Sequence, residues 1–205
     1  MSFAKKNRNK RIVRIAVTGA LIASMGLALS ACGNEDGEAH SSVMAEESVG
    51  NGMKKASLEG FSFQVPETWQ LGDSSTDYLR MYYVGDSDGE GTLMVRVYLD
   101  DTDFSACTDE EISDYIEMQT QEFTDFEMDV QEIVTTGIFS GIHFTGTFEL
   151  EEENDETAVH SARADYYIVN ANEEYAFVIG MIDYPDEGID YADEYAEIIA
   201  SFTED

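Results

Sequence analysis

The chain has 205 residues, enough for one domain with a tail, and its 43% apolar content with 11 Phe and 11 Tyr argues for a packed core over disorder. Against 11 Lys and Arg it carries 43 Asp and Glu, a net charge of −32. Such a surface repels nucleic acid and anionic lipid, so nucleic-acid binding is excluded as a function.

The charge is unevenly placed. Lys5, Lys6, Arg8, Lys10, Arg11 and Arg14 supply six of the eleven basic residues, and residues 1–31 contain no acid. The apolar run from Ile15 to Leu29 is softened by Gly, Ala, Ser and Thr and falls short of the roughly 20 residues of a membrane span. It ends in Leu29-Ser30-Ala31-Cys32, which resembles the lipobox of bacterial lipoproteins. In that family small residues before the cysteine fit the processing peptidase, the sulfur takes a diacylglyceryl group, and cleavage leaves the cysteine as the first residue. The resemblance implies that Cys32 is the lipidation site. It also implies a protein held at the extracytoplasmic face of the cell membrane, where two acyl chains suffice for stable anchoring. The alternative reading is an uncleaved membrane helix with an incidental cysteine. Residues 1–31 are thus expected to be a signal peptide. Residues 32–57, rich in Gly, Ser and Glu, are expected to be the lipidated cysteine and a flexible acidic tether reaching roughly 25–30 Å. Residues 58–205 form the expected domain.

That domain opens with Phe61, Phe63 and Val65 alternating with Ser62 and Gln64, a half-buried strand stopped by Pro66. Residues 78–84 and 92–99 read as two strands of a hairpin around the acidic turn 85–91. The period then changes: Ile112, Tyr115, Ile116 and Phe123 share one helical face over 108–123, and Thr108 with Glu111 forms a capping box. Strands are expected at 126–134, 141–150, 162–169 and 175–182, with a loop at 151–157. The last run is apolar on both faces, as in a central strand covered on both sides. Residues 190–202 place Tyr191, Tyr195, Ile198, Ile199 and Phe202 on a closing helical stripe. This order predicts an α+β fold, a mostly antiparallel sheet flanked by helices in an α/β/α sandwich.

Phe61-Ser62-Phe63-Gln64-Val65-Pro66-Glu67-Thr68-Trp69 resembles the start of PsbP-like domains, photosystem II accessory proteins with relatives among bacterial lipoproteins. The element order and the closing helix ending in Ser201-Phe202 are also similar to that family. The resemblance covers about residues 58–205 and implies an α/β/α sandwich with a non-catalytic, partner-binding role. It carries over no functional residue, since the matching positions are strand and turn residues.

Residues with potential chemistry are few. Asp86, Asp88 and Glu90 alternate before Gly91 like the first half of a calcium loop, but position twelve is Val97, inside a strand. Residues 151–156 form a second acidic cluster. Weak, millimolar-range calcium binding at such loops is one reading and a solvated hairpin tip is the plainer one; no other cofactor is expected. His40, His143 and His160 show no zinc-ligand spacing. Ser140 lies near His143, yet the segment lacks the G-x-S-x-G elbow, so a polar strand-face histidine is the better account. Cys107 has no partner for a disulfide once Cys32 is acylated, and reads as a small apolar residue before a helix. Adjacent Tyr82-Tyr83 and Tyr166-Tyr167 must point to opposite sides of their strands. With Trp69 and Tyr78 they offer either core or an exposed contact surface for protein or carbohydrate.

The sequence therefore predicts a lipid-anchored extracytoplasmic binding or accessory protein, non-catalytic, with an envelope protein or small ligand as partner. The alternatives are an envelope hydrolase with a fold-assembled site and a calcium-dependent interaction module.

Overall fold

A computed structural model of the chain describes residues 46–85, 91–152 and 155–205. The strands are β1 (Glu47–Gly50), β2 (Met53–Leu58), β3 (Phe61–Pro66), β4 (Gln70–Leu71), β5 (Leu79–Tyr83), β6 (Thr92–Leu99), β7 (Thr124–Thr136), β8 (Phe139–Glu152), β9 (Asp155–Asn170), β10 (Tyr175–Asp183) and β11 (Thr203–Glu204). Among the described residues there are two α-helices, α1 (Asp109–Thr120) and α2 (Ala192–Ala200), and short 3-10 turns at Phe104–Ala106 and Pro185–Glu187. The expectation of an α+β fold dominated by antiparallel sheet holds.

Seven strands form one antiparallel sheet in the order β4-β5-β6-β10-β9-β8-β7. β10 lies at its centre because Phe177, Ile179 and Met181 feed one face while Ala176, Val178 and Ile182 feed the other. Each successive pair is antiparallel, so β6 and β7 run in the same direction on either side of β10, β9 and β8. Their connection must cross a sheet face, and α1 makes that crossing, burying Ile112 and Ile116. Thr108 accepts from the Glu111 N–H and the Glu111 carboxylate accepts from the Thr108 N–H, the capping box the sequence predicts. The helix stops at Thr120, yet Phe123 still packs flat on Phe148, with ring centroids 4.1 Å apart.

The opposite face is covered by α2 and by a second, four-stranded sheet in the order β1-β2-β3-β11. Phe63 stacks on Phe202 at 4.5 Å, and Tyr195 donates its buried hydroxyl to the Ile179 carbonyl at 2.8 Å. Trp69 is buried in this layer, edge-on to Tyr191.

One boundary needs correction. Residues 47–57, expected within the flexible tether, form the β1–β2 hairpin together with Leu58, and Ala56 and Leu58 lie in the core. Its two-residue turn is Asn51-Gly52, both at positive φ (59° and 75°), a conformation for which Asn and Gly are the suited residues. The folded region thus begins before residue 58. The loop expected at 151–157 is also shorter, because β8 extends to Glu152 and β9 starts at Asp155. The expected signal segment, Cys32 and His40 lie outside the described residues. Among the described residues no helix is long and apolar enough to cross a membrane.

Candidate functional site

Pairing register decides which side chains meet beyond the reach of α2. His143 on β8 stands opposite Tyr167 on β9 and Glu132 on β7. Asp165, two residues before Tyr167, faces the same way. His143 Nδ1 lies 3.1 Å from Glu132 Oε1 and Nε2 lies 3.0 Å from Asp165 Oδ1. The ring stacks on Tyr167 with centroids 4.3 Å apart, and Tyr167 leads edge-on to Tyr195 of α2. Burial alone lowers the His143 pKa, but the hydrogen bond and charge of Asp165, joined by those of Glu132, raise it above the ordinary value. Burial, Asp165 and Glu132 push the Tyr167 hydroxyl up to about 12.

Further along β9 on the same face, one Arg163 nitrogen donates to Asp183 Oδ2 at 2.5 Å and to Asp190 Oδ1 at 2.7 Å. Asp183 is fully buried and also accepts from the Tyr191 N–H at 2.9 Å. Burial nevertheless raises its pKa against those two partners. Asp190 is held low by Arg163 and by the Ala192 N–H, from which it accepts at 3.2 Å at the start of α2.

Every cation from residue 32 onward is committed internally. Lys54 pairs with Glu46 at 2.7 Å, Lys55 with Asp205 at 3.2 Å, Arg80 donates to the Thr76 carbonyl, Arg96 covers the Tyr98 ring, and Arg163 binds its two acids. The surface left for a partner is therefore acidic.

The second feature is the long edge of the large sheet. Among the described residues β7 pairs with β8 alone, and ten of its thirteen residues are exposed. The opposite edge, β4, has only two residues. Register shifts occur between Thr124 and Glu127 and between Met128 and Val130, whereas Val130–Thr136 runs regularly against Phe139–Thr145. The second shift turns Met128, opposite Gly146, and Val130, opposite Thr145, to different faces. Met128, Val130 and Ile133 are exposed by 50%, 42% and 43%, among the acids Asp125, Glu127, Asp129 and Glu132.

The other sequence candidates distribute plainly. Ser140 and His143, three apart on β8, point to opposite faces, and both histidine nitrogens already meet carboxylates, so no Ser-His pair forms. His160 binds Glu187 at 2.6 Å. Cys107 is partly buried, and burial, Glu111 and Asp103 raise its pKa, away from the reactive thiolate. Of the tyrosine pairs, Tyr82 and Tyr166 are core, Tyr83 is exposed and Tyr167 is half-buried; Tyr78 is exposed. Asp86, Asp88 and Glu90 lie outside the described residues, and nothing is described of the side chains of 151–156. Among the described residues no group of three or more His, Cys, Asp or Glu is placed to hold a metal ion. Glu132 and Asp165 flank the His143 ring from its two nitrogens and do not converge on a point.

No family model and no curated protein matches the chain. Solved structures of similar shape include cyanobacterial PsbP (CyanoP) from Synechocystis, 14% identical over 77% of this chain and 95% of that one, TM-score 0.49. They also include the Ran-binding protein Mog1p of Saccharomyces cerevisiae, 15% identical over 74% and 95%, TM-score 0.49. The chain spans 45% of a Bacteroides thetaiotaomicron protein, 14% identical over 71% of this chain, TM-score 0.46. At such identities and scores, function has to be read from the chain's own residues.

Proposed function

We propose that this chain is a lipid-anchored, extracytoplasmic binding or accessory protein, non-catalytic, whose contact surface is the β7 side of the large sheet and whose partner is another envelope protein. One observation carries the reading: among the described residues no strand pairs with the outer edge of the 13-residue β7, and Met128, Val130 and Ile133 are exposed there among four acids. A long unpaired edge is a liability that proteins normally blunt or cover, and one left open is suited to a partner. The pairing of His143 with Glu132 and Asp165 supports the same reading, because it spends the histidine on holding β7, β8 and β9 together. The motif at Cys32 supplies the anchor.

The test is crosslinking in intact cells with the full chain and a Val130→Asp/Ile133→Asp variant. Discrete adducts with envelope proteins that disappear in the variant are expected. Adducts of the same size and yield from both forms would contradict the reading.

A further inference from the structure

The partner's chemistry and its mode of docking follow from the same edge, so this inference rests on the reading above. We propose that Val130–Thr136 of β7 accepts an extended, basic segment of another protein as an added strand, with β-branched residues against Val130 and Ile133.

Three observations converge on that occupant. First, the seven residues Val130–Thr136 keep an uninterrupted register with β8, whereas the N-terminal part of β7 is broken by two register shifts. Shifts of that kind twist an edge away from a new strand; the regular stretch lacks this protection and offers about 23 Å of edge. Second, Val130 and Ile133 project from opposite faces of that stretch, since they stand against Thr145 and Ile142. An added strand with alternating side chains would meet one of them on each face, whereas a helix or a flat surface would meet only one. Third, charge selects the class of partner. Glu132 lies in the stretch and Asp125, Glu127 and Asp129 precede it, while no basic residue lies on β7. All five cations beyond residue 31 are committed elsewhere. A second copy pairing edge to edge would bring these acids against themselves in a chain of net charge −32, which like-charge repulsion opposes. A Lys- or Arg-bearing strand is instead drawn in.

The test uses the full chain and two synthetic peptides, Lys-Val-Lys-Val-Arg-Val-Thr and the same sequence N-methylated at every backbone nitrogen. Both carry the same charge, but only the first can donate ladder hydrogen bonds. Anisotropy titrations at about 0.15 M salt should show the unmethylated peptide binding about tenfold tighter or better. Amide exchange should slow in residues 130–136 on adding the unmethylated peptide. Equal binding of the two peptides, or slowed exchange confined to other elements, would overturn strand addition. If crosslinked adducts from this edge persist in cells while the peptides bind equally, strand addition fails and the broader binding reading stands. If the native chain gives no such adducts either, both fail.

Discussion

His143 Nε2 and Asp165 Oδ1 meet at 3.0 Å across the β8–β9 pair, and the other ring nitrogen meets Glu132 on β7, so one side chain ties three strands. Its raised pKa fixes the sign of a pH effect. A histidine whose folded value lies above its unfolded value of about 6.5 contributes stability that is complete below that pH and is lost as pH rises through the folded value. The stability difference between the native chain and a His143→Gln variant should therefore be largest below about pH 6 and shrink toward about pH 9, on the order of 1 kcal/mol in all. Urea midpoints at the two pH values measure it, and a pH-independent difference would refute the assignment.

Arg163 holds a carboxylate that has no access to water. Removing the cation while leaving Asp183 in place strands a buried charge, so Arg163→Met should cost about 3–5 kcal/mol in urea unfolding. Arg163→Met combined with Asp183→Asn should recover part of that loss. A double variant as unstable as the sum of the two singles would show that the groups do not act as a pair.

Gly180 sits directly opposite Tyr166 in the β9–β10 pair, and a methyl group there would overlap the buried tyrosine ring. Gly180→Ala should lower stability by about 2–3 kcal/mol, through overpacking in the central strand. Shrinking the ring as well, with Tyr166→Val, should make the second substitution less than additive. Thermal melts of the two single variants and the double variant decide it.

The anchor has its own outcome. Cys32→Ala should move the protein out of the membrane fraction or leave the precursor unprocessed, as read by fractionation and mass spectrometry. Persistent lipid labelling of the variant would contradict lipidation at Cys32.

Much of the architecture is legible in local pattern. The two-faced apolar run of β10, the Thr108–Glu111 capping box and the stripe of Tyr195, Ile198 and Ile199 each specify an element and its buried side. The β1–β2 hairpin is less legible, because Lys54, Lys55 and small residues mask its alternation, although Asn51-Gly52 is a turn signal. The exposure of β7 is hidden for another reason. Phe126, Met128 and Val130 alternate as if on one buried face, and only the irregular register between Met128 and Val130 separates them. The grouping around His143 depends on partners 11 and 22 residues away, which no short-range spacing reveals.

The central claim is that the β7 edge is where this protein meets its partner. Its most direct test is a photo-reactive residue placed in the full chain at Ile133, with a control at the apolar and still more exposed Leu99 on β6. Irradiation of intact cells should give a discrete protein adduct from position 133 and none from position 99. Adducts of equal yield from both positions, or from position 99 alone, would contradict the account.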